Sequence, residues 1–342
     1  MNTVATTSET KAALLAEHRR GVKGADFLRR LGEAVGGPLE RTSEDVELLL
    51  AHAQLAWIAD QRKPAAIRAR ASAERLIELV PDFAEGYRLL GFACLTRGEY
   101  RDAFMALSAV KTIPTPANFD NFRALARLLM TGIPKVSFDL AGQRYAFDLT
   151  THNAAAIESS AFHSVGMLTE WDELQYLAQV LDPAKTRHIV EVGVLLGNHS
   201  AFFLKTLRPD HITLIDADPA NLPFIERTVA YNAVNPRPTA RIHNAFVGKS
   251  AGETTFAGAK VPVRSLTELV DGPVDFIKID VDGGEESLLE GAEAVIQNTR
   301  PVVMIETTPA SHGAVAAWFA ARGYTLRKQF DHGDYRNVIL SP

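Results

Sequence analysis

The stretch that decides the fold is IVEVGVLLGNHSAF, residues 189–202. It runs from an apolar segment into two glycines, Gly193 and Gly197, and then into a second apolar pattern. An apolar run, a glycine turn and a new periodic run in this order predict a β-strand, a tight turn and an α-helix. In an open α/β sheet, ligands bind beside such turns, at the carboxyl ends of the strands.

The same alternation of helix and strand patterns continues from about residue 156 to the C-terminus. It predicts a largely parallel, Rossmann-like α/β sheet with helices on both faces. The last two strand patterns, YTLRKQF (324–330) and YRNVILS (335–341), follow each other directly and predict an antiparallel end to this sheet.

Length and composition set the class of the protein. A chain of 342 residues with 46% hydrophobic residues predicts two packed domains rather than disorder. The net charge of -5 disfavours a nucleic-acid partner, and the single cysteine, Cys94, cannot form an intrachain disulfide. Residues 1–20 lack the apolar core of a signal peptide, and no stretch is long and apolar enough to span a membrane. The sequence therefore predicts a cytoplasmic protein with no transmembrane segment.

Residues 1 to about 132 have the composition of helices and predict an all-α domain. The segment EGYRLLGFACLTRGEYRDAFMALSAVKTIP (85–114) has the spacing of a tetratricopeptide helix pair. Small residues at Gly91 and Ala103 are expected to let its two helices approach closely. Weaker copies precede and follow it, and such repeats bury their faces by stacking.

These patterns predict four regions. They are a helical extension over 1–40, tetratricopeptide-like repeats over 41–132, a β-hairpin linker over 133–155 and an α/β domain over 156–342. The linker is predicted from VSFDLAGQRYAFDL (136–149), which alternates apolar and polar residues around Ala-Gly.

The glycine spacing of the turn favours a cofactor without phosphates. A dinucleotide fingerprint needs a second glycine two residues after the first, where this chain has Leu195. The pattern Glu191-x-Gly193-x-x-x-Gly197 suits S-adenosylmethionine instead. The next strand pattern ends at Asp216, 23 residues after Gly193, where such folds place a carboxylate that accepts the ribose hydroxyls. Topology alone would put Asn244 and Ala245, after the following strand, beside the adenine ring.

A second set of polar residues follows the strand pattern in VDFIKIDVDGGEESLLEGAEAVI (274–296). Because alternate residues of a strand share a face, Lys278, Asp280 and Asp282 are expected on one side. A central strand of a parallel sheet should be apolar on both faces. Burying such charges without partners is unfavourable. A functional site therefore explains the three residues better than an ion pair and a helix cap alone.

Five segments in this order resemble the FkbM-type S-adenosylmethionine-dependent methyltransferases over residues 135–342. They are VEVGVLLGNHSAF, LIDADPANL, NAFVGKSAGETTF, DFIKIDVDGGEESLLEGAEAVI and RPVVMIE. The resemblance implies a class I methyltransferase fold, S-adenosylmethionine as cofactor and O-methylation of a hydroxyl on a glycan, glycolipid or secondary metabolite. It also implies cofactor roles for Glu191, Gly193, Gly197 and Asp216, and a place near the transferred methyl group for Asp280. Where the family has Asp, Ala-Asn and Glu, this chain has Glu191, Leu195-Leu196 and Asp282.

We therefore expect Asp280 to be the base or the group that orients the acceptor, supported by Asp282. A metal is not required, although Asp280, Asp282, Glu285 and Glu306 could gather Mg²⁺ through oxygen ligands. The alternative function is a tetratricopeptide adaptor with a non-catalytic methyltransferase-like domain. The repeats could bind a protein partner or mediate a homodimer. A nicotinamide-dependent dehydrogenase is disfavoured by Leu195.

Overall fold

The computed structural model describes residues 8–23, 25–59, 66–109, 119–235, 238–256, 258–281 and 284–342. Its contacts divide the chain into two units. The helical unit comprises Met1–Val136 and Leu149–Met167, and the α/β unit comprises Ser137–Asp148 and Leu168–Pro342. The four predicted regions and their boundaries stay a prediction.

In the residues that the structure describes, the helical unit consists of α-helices. These helices are α1 Ser8–Arg19, α2 Ala25–Gly36, α3 Ser43–Ala59, α4 Ile67–Leu79, α5 Ala84–Arg97, α6 Tyr100–Ala109, α7 Phe119–Met130 and α8 Ala154–Ser164. The helix-rich N-terminal region predicted from composition is therefore confirmed.

Successive helices from α3 to α8 pack against each other. Gly91 of α5 explains how one pair comes so close, because a Cβ at this position would lie 2.5 Å from Leu107 of α6. Ala103 and Cys94 are fully buried in the same apolar cluster as Leu107. The close approach expected at Gly91 and Ala103 is thus present, and the identity of the helices as tetratricopeptide repeats remains a prediction.

A β-hairpin lies in the chain between α7 and α8, and its residues Ser137–Asp148 belong to the α/β unit. It consists of β1 Lys135–Leu140 and β2 Gln143–Asp148. Its two turn residues, Ala141 and Gly142, both have positive φ angles, 50° and 75°. Positive φ at both positions is the conformation of the two-residue turns that fit the twist of a hairpin.

The remaining elements of the α/β unit alternate between helix and strand. The helices are α9 Trp171–Val180, α10 Asn198–Phe202, α11 Leu222–Asn232, α12 Leu266–Leu269, α13 Glu285–Thr299 and α14 His312–Ala320, and a π-helical turn at Phe203–Leu207 continues α10. The strands are β3 His188–Val192, β4 His211–Asp216, β5 Thr239–Asn244, β6 Phe246–Val247, β7 Gly252–Phe256, β8 Ala259–Arg264, β9 Phe276–Ile279, β10 Val302–Thr307, β11 Thr325–Asp331 and β12 Arg336–Ser341.

Seven strands form the main sheet in the order β11-β12-β10-β9-β3-β4-β5. The five strands from β10 to β5 are parallel, whereas β12 pairs antiparallel with both β10 and β11. A separate small sheet contains β6, β8 and β7. The predicted fold class, including the antiparallel end, is confirmed.

The centre of the sheet is buried, which is why its strands read as apolar runs. Every residue of β3 and of β9 is buried. Leu288, Leu289 and Ile296 of α13 belong to the apolar core around these strands. The exceptions to this apolar pattern in β3 and β9 are His188, Glu191 and Lys278, of which Glu191 and Lys278 lie toward the carboxyl ends of their strands.

Candidate functional site

The glycine turn after β3 is shaped by close contact with the end of β9. Gly193 has a φ of 81°, and a Cβ at this position would lie 1.7 Å from the carbonyl oxygen of Asp280. Gly197 has the same φ, and a Cβ there would lie 2.9 Å from the methyl group of Thr228 in α11. Leu195 between them has a φ of 56°, which is unfavourable for a side chain of its size. Such a strained turn persists only where its surroundings hold it.

Asp216, at the end of β4, supplies part of that support. Its Oδ2 accepts hydrogen bonds from the backbone amides of Val194 at 3.0 Å and Leu195 at 2.8 Å. Its Oδ1 accepts from the amide of Asp218 at 2.8 Å and from Asn221 Nδ2 at 3.1 Å. Burial raises the pKa of Asp216, and these donors oppose that shift. The carboxylate therefore braces the glycine turn directly, and its predicted contact with ribose hydroxyls stays a prediction.

Asn244 and Ala245 lie at the end of β5, the neighbour of β4. Asn244 is the register partner of Asp216, and its Nδ2 donates to the carbonyls of Asp216 at 2.9 Å and Ala217 at 3.1 Å. The amide of Ala245 also donates to the Asp216 carbonyl, at 3.2 Å. These contacts fix the loop after β4, and the adenine role of the two residues is untested.

A row of polar residues follows one face of the sheet at its carboxyl end. Glu191 of β3 is the register partner of Lys278 of β9, so their side chains lie on the same face. Asp280, two residues beyond Lys278, continues that face just past the end of β9. The structure thus brings Glu191, from the glycine-turn motif, together with Lys278 and Asp280, which the sequence had already placed on one face of β9.

Lys278 and Asp280 form an ion pair in which Nζ donates to Oδ2 at 2.6 Å. The Lys278 side chain is only 2% exposed, while that of Asp280 is 34% exposed. Burial lowers the pKa of Lys278, but the carboxylates of Asp280, Glu191 and Glu170 outweigh it and raise this pKa above its ordinary value. The lysine is therefore a buried cation, and the aspartate is the member of the pair that solvent can reach.

Glu191 is the most buried acid of the row. Ser200 in α10 donates its hydroxyl to Glu191 Oε2 at 2.5 Å. Burial raises the pKa of Glu191, although Lys278 and His199 favour its ionised form. The side chain thus connects β3 to the helix that follows the glycine turn.

Sequence reasoning missed two members of this cluster, Glu170 and His199. Glu170 Oε2 lies 2.8 Å from His199 Nε2, and both side chains are almost fully buried. Glu170 precedes α9, and its Oε1 accepts from Asn337 Nδ2 of β12 at 2.9 Å. No spacing in the sequence links these positions, because three separate elements bring them together. An isolated acid before a helix reads as a capping residue.

Asp282, the second predicted catalytic residue, lies outside the described residues. Glu285 is buried at the start of α13, and Glu306 lies in β10 as the register partner of Asn337. Among the side chains that the structure describes, no group of three or more His, Cys, Asp or Glu residues is arranged to hold a metal ion.

The donors and acceptors of the turn fit a cofactor without phosphates. In a dinucleotide site the glycine turn presents free backbone amides to a pyrophosphate. Here the amides of Val194 and Leu195 already donate to Asp216. The ends of β3, β4 and β9 carry the carboxyl groups Glu191, Asp216 and Asp280, which suit a cationic cofactor and repel a phosphate.

Comparison with known families agrees with this geometry. Residues 204–326 match the model of the methyltransferase FkbM domain. This part of the α/β unit is similar to the FkbM methyltransferase domain. The match runs from the π-helical turn into β11, so it includes Asp216, Asn244, Ala245 and Asp280, while Glu191, Gly193 and Gly197 precede it. The family predicted from the sequence motifs is confirmed over these residues. The match to a methyltransferase domain supports the predicted cofactor, S-adenosylmethionine.

Solved structures with a similar fold include several methyltransferases. Methyltransferase FkbM from Methylobacillus flagellatus KT is 17% identical, with a TM-score of 0.42 over 78% of this chain and 65% of that chain. The ribosomal protein L11 methylase from Lactobacillus delbrueckii subsp. bulgaricus is 15% identical, with a TM-score of 0.35 over 50% of this chain and 77% of that chain. TYW2 from M. jannaschii, in complex with AdoMet, is 11% identical, with a TM-score of 0.38 over 61% of this chain and 85% of that chain. Likeness at this level says nothing about the substrate of this protein.

No curated protein matches the chain. Within the described residues, none of the helices combines the length and the apolar character needed to cross a bilayer.

Proposed function

We propose that this protein is an O-methyltransferase that transfers the methyl group of S-adenosylmethionine to a hydroxyl of a glycan, glycolipid or secondary metabolite. The observation that carries the proposal is the glycine turn after β3, which lies just before the FkbM methyltransferase match, is braced by Asp216 and adjoins the Lys278–Asp280 pair. The turn offers no free Val194 or Leu195 amide for a phosphate. The acidic strand ends favour a sulfonium, which is a cation.

The proposed cofactor residues are Glu191, Gly193, Gly197, Asp216, Asn244 and Ala245. They come from the ends of the three adjacent strands β3, β4 and β5 and from the turn after β3. Asp216 would hold the turn through Val194 and Leu195 and, when the cofactor binds, exchange one of its protein donors for a ribose hydroxyl. The cofactor supplies the reactive methyl group; the chain supplies position, charge and a route for the proton.

Asp280 is the proposed catalytic residue. Its carboxylate is partly exposed and is fixed by Lys278, so it can orient an acceptor hydroxyl and take its proton as the new bond forms. Positioning two reactants contributes about 7–11 kcal/mol, whereas a general base contributes about 10²- to 10⁴-fold in rate. Positioning is therefore the larger effect. Because Asp280 is proposed to act on the acceptor and not to hold the cofactor, Asp280→Asn should retain cofactor binding. Asp282, two residues further along the chain, is the proposed supporting residue for Asp280.

A labelling experiment tests the reaction and identifies the acceptor. The full chain is incubated with S-adenosylmethionine carrying a deuterated methyl group and with an extract of its source cells, and products are analysed by mass spectrometry. We expect one compound class to gain the labelled methyl on oxygen with wild-type protein and not with Asp280→Asn. Labelling on nitrogen would exclude O-methylation. Folded protein that binds the cofactor but labels nothing would favour the adaptor alternative.

A further inference from the structure

Glu170 makes more polar contacts between different elements than its place before a helix requires. Its Oε2 lies 2.8 Å from His199 Nε2 of α10. Its Oε1 accepts from Asn337 Nδ2 at 2.9 Å and from the Tyr335 hydroxyl at 3.4 Å. One carboxylate thus joins the helix after the glycine turn to the β11–β12 hairpin on the other side of the sheet centre.

The backbone at Glu170 is held in an unfavourable conformation. Its φ is 53°, in the left-handed region that L-residues with side chains seldom adopt. Its side chain makes no capping hydrogen bond to α9, which begins at the next residue. The contacts with His199, Asn337 and Tyr335, rather than helix capping, account for an acid at this position.

Charge gives Glu170 a second connection to the site. Burial raises its pKa, but His199, Lys278 and Asn337 outweigh burial and hold this pKa well below its ordinary value. Glu170 is therefore a carboxylate, and it is one of the three acids that keep Lys278 charged. Glu170, Glu191 and Asp280 face the two basic residues His199 and Lys278, so acids outnumber bases in this cluster.

We propose that Glu170 is a positioning residue for the cofactor: through His199 it holds the helix that follows the glycine turn, and its charge favours a cationic ligand. This inference rests on the proposed function. His199 lies two residues after Gly197, so fixing its ring fixes the start of α10. A neutral residue at position 170 would replace the charged partner of the buried His199 ring by an uncharged one and would remove one negative charge near the site.

The chain offers a matched control in the same helix turn. Glu173 is even more buried than Glu170, with 2% of its side chain exposed against 12%, and it also contacts the β11–β12 hairpin, through His332 Nε2 at 2.5 Å. No contact of Glu173 with His199 or Lys278 is present among the described residues. Glu170→Gln and Glu173→Gln therefore both remove a buried acid that holds the hairpin, and only the first removes the link to α10.

The experiment measures binding of S-adenosylmethionine and S-adenosylhomocysteine to the full chain by calorimetry, alongside thermal unfolding. We expect Glu170→Gln to weaken S-adenosylmethionine binding about tenfold and S-adenosylhomocysteine binding less than threefold, because the second ligand lacks the sulfonium charge. Glu173→Gln should change neither by more than about twofold. Glu170→Asp should recover part of the affinity. His199→Asn, which keeps the Glu170 charge, should weaken both ligands to a similar extent, by less than about threefold, and adding Glu170→Gln should further lower only S-adenosylmethionine binding.

Equal losses in Glu170→Gln and Glu173→Gln would overturn the inference, as would equal losses for the two ligands. If Glu170→Gln does not fold, His199→Asn tests the positioning part of the inference, and unchanged binding of both ligands in that variant would overturn it. Wild-type protein that binds neither ligand would instead contradict the proposed function.

Discussion

The Cα of Gly193 and the carbonyl oxygen of Asp280 lie so close that a Cβ on residue 193 would come within 1.7 Å of that oxygen. The turn that follows β3 and the strand end that carries the proposed catalytic residue are therefore in direct backbone contact. The amide of Asp280 also donates to the carbonyl of Val192 at 2.9 Å. The proposed cofactor residues and the proposed catalytic residue form one rigid arrangement.

Gly193→Ala is expected to destabilise the protein by at least about 2 kcal/mol, because a left-handed φ costs about 1–2 kcal/mol for a residue with a Cβ and backbone must shift in addition. Denaturant unfolding measures this loss. Gly252→Ala is the control, since the space around Gly252 in β7 is open. Similar stability of the two variants would mean that the contact between residues 193 and 280 is not as close as described.

Asp216→Asn should weaken both the fold and cofactor binding. An amide cannot accept four hydrogen bonds as a carboxylate does, so at least one buried donor loses its partner at a cost of about 1–3 kcal/mol. We expect that loss in unfolding free energy together with at least tenfold weaker S-adenosylmethionine binding by calorimetry. Asp271→Asn is the control, because Asp271 is exposed and forms its ion pair with Arg241 away from the turn. Unchanged cofactor affinity in Asp216→Asn would remove Asp216 from the proposed site.

The sequence predicted those parts of the fold and the site that depend on local pattern. The alternation of elements gave the sheet and its antiparallel end, and alternation within β9 put Lys278 and Asp280 on one face. Glu170 and His199 could not be found in this way, because their contact depends on how α9 packs against α10. The four hydrogen bonds of Asp216 were equally hidden, since they depend on the path of the turn after β3. Sequence periodicity predicts the elements and their faces, but it does not predict which side chains of different elements come into contact.

Lys278→Met and Asp280→Asn should separate stability from catalysis. Lys278→Met leaves Glu191, Glu170 and Asp280 without the cation that compensates their charge. Breaking a buried ion pair in this way lowers the free energy of unfolding by about 3–5 kcal/mol. Asp280 is partly exposed, so Asp280→Asn should cost less stability and should lower the methyl-transfer rate by about 10²- to 10⁴-fold. Unfolding curves and turnover with the acceptor from the labelling experiment measure the two effects. A fully active Asp280→Asn would assign the proton transfer to another group.

The pH dependence of stability should report on Glu191. Burial raises its pKa in the folded protein above the ordinary value of 4.5, so its contribution to stability is complete below pH 4.5 and is lost as the pH rises through the folded-state pKa. Glu191→Gln does not ionise and escapes this loss. The unfolding free energy of Glu191→Gln relative to wild type should therefore rise between pH 4.5 and pH 8. A difference that is constant with pH, or that falls, would show that Lys278 offsets the burial of Glu191 completely.

Calorimetric titration of the full wild-type chain with S-adenosylmethionine, and in parallel with NADH, tests the central claim most directly. The braced turn and the acidic strand ends predict saturable binding of S-adenosylmethionine at one site per chain and no binding of NADH. Folded protein that binds NADH, or that leaves S-adenosylmethionine unbound, would contradict the account.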